Sequence, residues 1–155
     1  MYTNILVPID GSPASDRGCR EAIAIAQGLG SRLHFINVVD PRLLFAAVTS
    51  TVGPQQLLDG WRSDGERLVA RAIADAQAAG VTASAAVRCD AGMRVCDEIL
   101  EEARRTEADL IVMGTHGRRG LGRFVIGSDA EQILRTSPTP VMIVRDPDAD
   151  AAAAA

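Results

Sequence analysis

Five short apolar runs punctuate this 155-residue chain, at Asn4–Ile9, Leu33–Val39, Val81–Cys89, Leu110–Met113 and Val141–Val144. Each reads as a strand, the first as one buried on both faces. Between them the apolar spacing changes to three and four residues, which predicts helices over about 13–29, 55–79, 93–106 and 128–135. Strands that alternate with helices pair in parallel through crossovers, so the expected architecture is a three-layer α/β sandwich.

Local signals sharpen the helices. Ser12 is a good N-cap and Pro13 suits the first helical position, while Gly30 supplies the stop. Cys19, Ala22, Ile23, Ala26 and Leu29 mark the inner side of the first helix. Leu58, Trp61, Leu68, Ala72 and Ile73 mark that of the second, which ends at Gly80. In the third, Val95, Ile99 and Ala103 point inward and Glu101, Glu102, Arg104 and Arg105 outward. Residues 42–54 begin apolar (Leu43–Val48) and end in a Ser/Thr/Gly/Pro cluster; such a connection reads as a lid or a partner surface. Residues 1–146 are expected to form a single domain, and the Ala-rich stretch 147–155 a disordered tail.

What the chain lacks excludes several functions. All sixteen of its cations are arginine and none is lysine. A P-loop needs a lysine on the β and γ phosphates, and Schiff-base or pyridoxal chemistry needs a lysine amine. A receiver domain, which Asp10 at the end of the first strand would suit, needs a lysine after strand five. No G-x-G-x-x-G follows the first strand, so a Rossmann dehydrogenase is excluded as well. The formal charge of −4 argues against nucleic acid as a partner. Three cysteines without CxxC spacing argue against a disulfide framework or a zinc site, and Cys19 and Cys96 read as small buried hydrophobes. The sequence shows neither an export signal nor a run approaching membrane-spanning length, so a cytoplasmic, non-membrane protein is expected.

The chemistry is concentrated after strand four. There the chain reads Gly114-Thr-His-Gly117, then nine residues, then Gly127-Ser128. A buried strand that ends in a glycine loop and meets a helix start can hold phosphate. Backbone N–H groups converge there, and the first helical turn carries about half a positive charge. The same loop carries Arg118, Arg119 and Arg123 beside Gly120 and Gly122, and arginine grips phosphate through its planar fork. Ser128 is expected to serve as helix N-cap and phosphate donor. Asp129 has two readings: a carboxylate complementing the helix dipole, or a ligand recruiting Mg²⁺ to a bound phosphate. The turn Asp10-Gly11-Ser12 after strand one and the Gly114 segment should share the carboxyl rim of the sheet, where ligands of such folds bind.

The pattern G-x2-G-x9-G-S resembles the nucleotide-binding signature of the universal stress proteins. The opening Ile5-Leu-Val-Pro-Ile-Asp-Gly-Ser12 is similar to that family's first strand and turn, and Ser137-Pro-Thr-Pro-Val-Met-Ile-Val-Arg145 to its last. The resemblance runs over about residues 2–145. It implies an adenine-nucleotide alpha hydrolase-like (Rossmann-like) fold, with a five-stranded parallel sheet of order 3-2-1-4-5 and a homodimer formed through the last strand, Val141–Val144. It also implies the ATP-binding branch, which keeps the glycine signature. On that resemblance Pro8, Ile9 and Asp10 border the adenine, and Val38 offers it backbone polar groups. Met113 and Gly114 lie along adenine and ribose. Gly117, Gly127 and Ser128 hold the phosphates, aided by the N–H of Asp129 and the cation of Arg118. The leading expectation is thus an ATP-binding stress-response module, with Mg²⁺ as a candidate companion and a downstream protein partner the sequence does not name. Two alternatives stay open. One is a slow ATPase using His116 and Asp10 to orient water. The other is an interaction dimer without nucleotide, working through residues 43–48, Trp61 and the last strand.

Overall fold

A computed structural model describes residues 1–43, 53–90, 92–115 and 126–145. The described chain runs β1 (Asn4–Pro8), α1 (Pro13–Leu29), β2 (Arg32–Val38), α2 (Pro54–Ala78), β3 (Ala83–Arg88), α3 (Val95–Arg105), β4 (Leu110–Gly114), α4 (Ser128–Thr136) and β5 (Val141–Val144). All strand pairs are parallel, in the order β3-β2-β1-β4-β5. The fold is the three-layer α/β sandwich that the strand–helix alternation predicts, in the strand order that the resemblance implies.

Period-two alternation in the strands divides the core into two layers. Ile5 and Val7, Leu33 and Phe35, and Leu110 and Val112 face α1 and α2, where they meet Cys19, Ala22 and Ala26 of α1 and Val69, Ala72 and Ala76 of α2. Leu6, Ile36, Ile111 and Met113 face the other way, onto Cys96, Ile99, Leu100 and Ala103 of α3 and Ala130 and Ile133 of α4. Each fully buried side chain of this size contributes about 1.5–3 kcal/mol. Cys19 and Cys96 are packed as small hydrophobes; burial, reinforced by Asp75 and Asp16, pushes the Cys19 thiol up to about 11.

The caps of α1 form as its sequence dictates. Ser12 is extended (φ −77°, ψ 156°), its hydroxyl accepts from the Ser15 N–H at 3.2 Å, and Pro13 opens the helix. Gly30 takes the left-handed conformation (φ 71°) that a side chain would resist, and the Ser31 N–H closes back on the Ala26 carbonyl at 3.0 Å. The starts of β1 and β4 are clipped together by Asp109, which accepts from the Thr3 N–H (2.8 Å), the Thr3 hydroxyl (2.7 Å) and the Asn4 N–H (3.1 Å).

Three expectations about faces are corrected. Glu102 does not point outward: it is buried beneath His34 and Arg88, which reach its carboxylate from β2 and β3 with ring and guanidinium nitrogens. Leu29 is exposed because α1 has run past the sheet at its last residue. On α2 Leu68, Ala72 and Ile73 pack on the core as expected, but Leu58 and Trp61 are only half-buried, and the fully buried stripe is Gly65, Val69, Ala72 and Ala76. Small residues face the sheet there because α2 lies close to it: a Cβ on Gly65 would run into Asn37 Oδ1. The tail from residue 146 onward and most of the 42–54 connection lie outside the described residues.

Candidate functional site

The strand order turns back on itself at β1, whose neighbours are β2 and β4. Chain therefore leaves the carboxyl ends of β1 and β4 in opposite directions, opening a crevice between the two ends. One wall is the turn after β1. Ile9 is buried, donates its N–H to the Ile36 carbonyl (2.8 Å) and accepts at its own carbonyl from Asn37 Nδ2 (2.8 Å). The Asp10 N–H donates to Ser15 Oγ (3.1 Å), and Asp10 Oδ1 accepts the Ser12 N–H (2.9 Å). Gly11, at φ 77°, makes the reversal possible. Pro8 and Asp10 are half-buried at this wall, and Val38 is half-buried at the end of the neighbouring β2.

The other wall begins at Met113 and Gly114, both buried at the end of β4. Beyond them Thr115 donates its N–H to the Val144 carbonyl (3.1 Å) and accepts at its own carbonyl from the Gly127 N–H (3.0 Å). That second bond joins the two ends of the glycine segment, so α4 starts beside the end of β4. Thr115 carried no signal in the sequence; its part is played entirely by its backbone.

The helix start differs from the expected one. Gly127 is the N-cap of α4, its carbonyl accepting from the Glu131 N–H at 2.8 Å, and Ser128 is the first helical residue, exposed at the rim. No side chain caps this terminus. With a backbone cap at Gly127, the Ser128 hydroxyl is released from the capping role the sequence suggested for it. The first-turn N–H groups of α4 have no capping side chain to compete with an anion, whereas Ser12 occupies those of α1. Asp129 is half-buried in the same turn, and its charge, like that of Asp40, acts on Arg42. Arg42 in turn holds Asp40 through two side-chain bonds of 2.8 and 3.0 Å within the loop after β2.

Gly117, Arg118 and the remaining loop residues His116, Arg119, Gly120, Gly122 and Arg123 lie outside the described residues. Of the expected contacts, Pro8, Ile9, Asp10, Val38, Met113, Gly114, Gly127, Ser128 and Asp129 all fall at the carboxyl rim or on strands ending there. Among the described residues no group of three His, Cys, Asp or Glu could hold a metal ion. A cation at Asp129 would therefore complete its coordination with oxygens of a bound ligand, as Mg²⁺ commonly does. Among the same residues, no helix is long and apolar enough to cross a membrane.

Residues 1–145 match the model of the universal stress protein family, and the chain belongs to that family. It is 31% identical to a universal stress protein of Methanocaldococcus jannaschii over 147 residues, covering 95% of this chain and 84% of the relative. It is 32% identical to one from Thermus aquaticus over 148 residues, covering 94% of this chain and all of the relative. Among solved structures it superposes on the UspA protein of Lactobacillus plantarum with a TM-score of 0.78 at 26% identity, covering 93% of this chain and 98% of that one. Two other universal stress proteins of this fold have been solved in complex with nucleotides. One holds cAMP (26% identity, TM-score 0.68) and one, from Archaeoglobus fulgidus, holds dAMP (17% identity, TM-score 0.66).

Proposed function

We propose that this chain is an adenine-nucleotide-binding regulatory module of the stress response, of the ATP-binding branch, and that its ligand lies across the crevice between β1 and β4. The observation that carries the reading is the Thr115–Gly127 hydrogen bond. It sets the uncapped first turn of α4 beside the end of β4 and opposite the Asp10 turn. The phosphates meet the N–H groups of Ser128 and Asp129 and the Ser128 hydroxyl, with Gly117 and Arg118 contributing from the loop. The base lies against Pro8, Ile9 and Asp10, and Val38 offers it backbone polar groups; Met113 and Gly114 border base and ribose. The cAMP- and dAMP-bound relatives support an adenine nucleotide. ATP is favoured over a monophosphate because the glycine segment and its arginines supply more anion-binding groups than one phosphate uses. Mg²⁺, held by Asp129 and phosphate oxygens, offsets the repulsion between that carboxylate and the ligand.

The module acts as a homodimer joined through β5. This strand is the edge of the sheet, and Met142 on it is 39% exposed. A downstream protein then reads the nucleotide state from the dimer surface.

Titration calorimetry of nucleotide-stripped protein with ATP, with and without Mg²⁺, tests the reading. The expected result is micromolar binding that Gly127→Val abolishes while the far-ultraviolet spectrum is unchanged. A Gly127→Val variant with wild-type ATP affinity would sink the phosphate-loop assignment.

A further inference from the structure

The first turns of α1 touch the end of β4 backbone to backbone. A Cβ built on Gly114 would lie 2.5 Å from the Ala14 carbonyl carbon and oxygen and 2.9 Å from the Ser15 nitrogen. One built on Gly18 would lie 3.0 Å from the Gly114 nitrogen and 3.2 Å from the Met113 carbonyl carbon. These neighbours are main chain and cannot swing aside as a side-chain tip would. Positive φ is not the reason for either glycine, since the glycines with positive φ among the described residues are Gly11, Gly30 and Gly80. Gly18 sits inside a 17-residue helix, where glycine is a poorer helix former than alanine. What offsets that cost is the approach it allows.

From this contact we infer that Gly18 is a positioning residue for the crevice, and that Gly114 belongs to the glycine signature because α1 docks on it rather than because a ligand does. This inference rests on the nucleotide-site reading above. The path from the contact to the site is short and covalent or hydrogen-bonded at each step. Gly114 leads directly to Thr115, whose carbonyl holds the Gly127 N–H at 3.0 Å; Gly127 in turn caps α4 through the Glu131 N–H at 2.8 Å. On its other side α1 carries Ser12 and Ser15, which hold the Asp10 turn. Gly18 against Gly114 thus sets the separation of the two walls. A methyl group at position 18 pushes the end of β4 away from α1 by a few tenths of an ångström and carries the α4 terminus with it.

The phosphates of ATP reach the α4 terminus, which moves with Thr115 and Gly127, whereas adenosine stops at Met113 and Gly114 and loses less. The test compares ATP with adenosine, the latter by competition, on wild type and Gly18→Ala. ATP affinity is expected to fall on the order of tenfold, about 1.4 kcal/mol, and adenosine affinity by clearly less, even though alanine is the better helix former. Equal losses for both ligands, or no loss for ATP, would overturn the inference. If the wild type binds neither ligand, the nucleotide reading fails. The docking role is then decided by amide hydrogen exchange at Thr115, whose bond to Val144 should open faster in Gly18→Ala; unchanged exchange would refute it.

Discussion

Arg88 and Glu102 form a forked ion pair, with Arg88 Nε 2.9 Å and Nη2 2.7 Å from Glu102 Oε2, on a carboxylate only 3% exposed. His34 Nε2 lies 2.9 Å from the other oxygen, and its Nδ1 faces the Ser84 hydroxyl at 2.8 Å. Arg105 adds a longer contact of 3.4 Å from its own helix. Three secondary-structure elements are thereby tied through one carboxylate: β2, β3 and α3. Arg88→Met leaves that carboxylate buried with its best partner gone. We expect a loss of about 2–3 kcal/mol, moderated by His34 and Arg105, in urea unfolding at pH 7. Arg88→Met combined with Glu102→Met should recover most of it, because the cost lies in the orphaned charge. A single variant as stable as wild type would mean that His34 and Arg105 suffice as partners.

Glu98, one turn earlier on α3, has no such compensation. Burial, followed by the charge of Asp90, raises its carboxyl above the ordinary value of 4.5, against smaller lowering effects of Arg88 and Arg105. Below the ordinary value both folded and unfolded chains carry the proton. As pH rises through the window up to the folded value, the folded chain keeps a proton that the unfolded chain has released, so stability falls. Glu98→Gln is expected to raise Tm at pH 7 and to lose that advantage toward pH 4. Calorimetric scans across this range would disprove the assignment if the difference were independent of pH.

A third prediction concerns Asn37, whose Nδ2 donates to the Ile9 carbonyl at the rim. A methyl group on Gly65 would overlap Asn37 Oδ1 and come within 3.2 Å of Val87 Cγ1, displacing the amide from Ile9. Gly65→Ala should cost about 1–3 kcal/mol as overpacking, although alanine gains about 1 kcal/mol of helix propensity. Urea unfolding measures the balance. A stabilised variant would show that α2 can lift from the sheet without penalty.

The strands and helices were legible because local and tertiary preferences agree along nearly the whole chain. Ser12, Pro13 and Gly30 do at the ends of α1 what their chemistry favours, and the five apolar runs have no other stable home than a doubly covered sheet. Glu102 was misread because periodicity within α3 says nothing of His34 and Arg88, which come from other elements. The glycine spacing pointed to the carboxyl rim, where Gly114 and Gly127 lie. It did not distinguish Gly127 from Ser128 as the cap, since both can hold that position and backbone packing decides. Nor did spacing show that Gly114 faces a helix, a distinction visible only once α1 is in place. Gly18 left a usable trace all the same: a glycine in mid-helix, with no turn to explain it.

The hydrogen bond that closes Thr115 onto Gly127 also bears on how such a protein can change over generations. Because that bond holds the start of α4 beside the end of β4, changes of length or residue between them leave β4, β5 and α4 with their partners. Stability is inherited through the paired layers, and the stretch between Thr115 and Gly127 can vary apart from them. One scaffold can therefore take up a different sequence there without having to be folded anew.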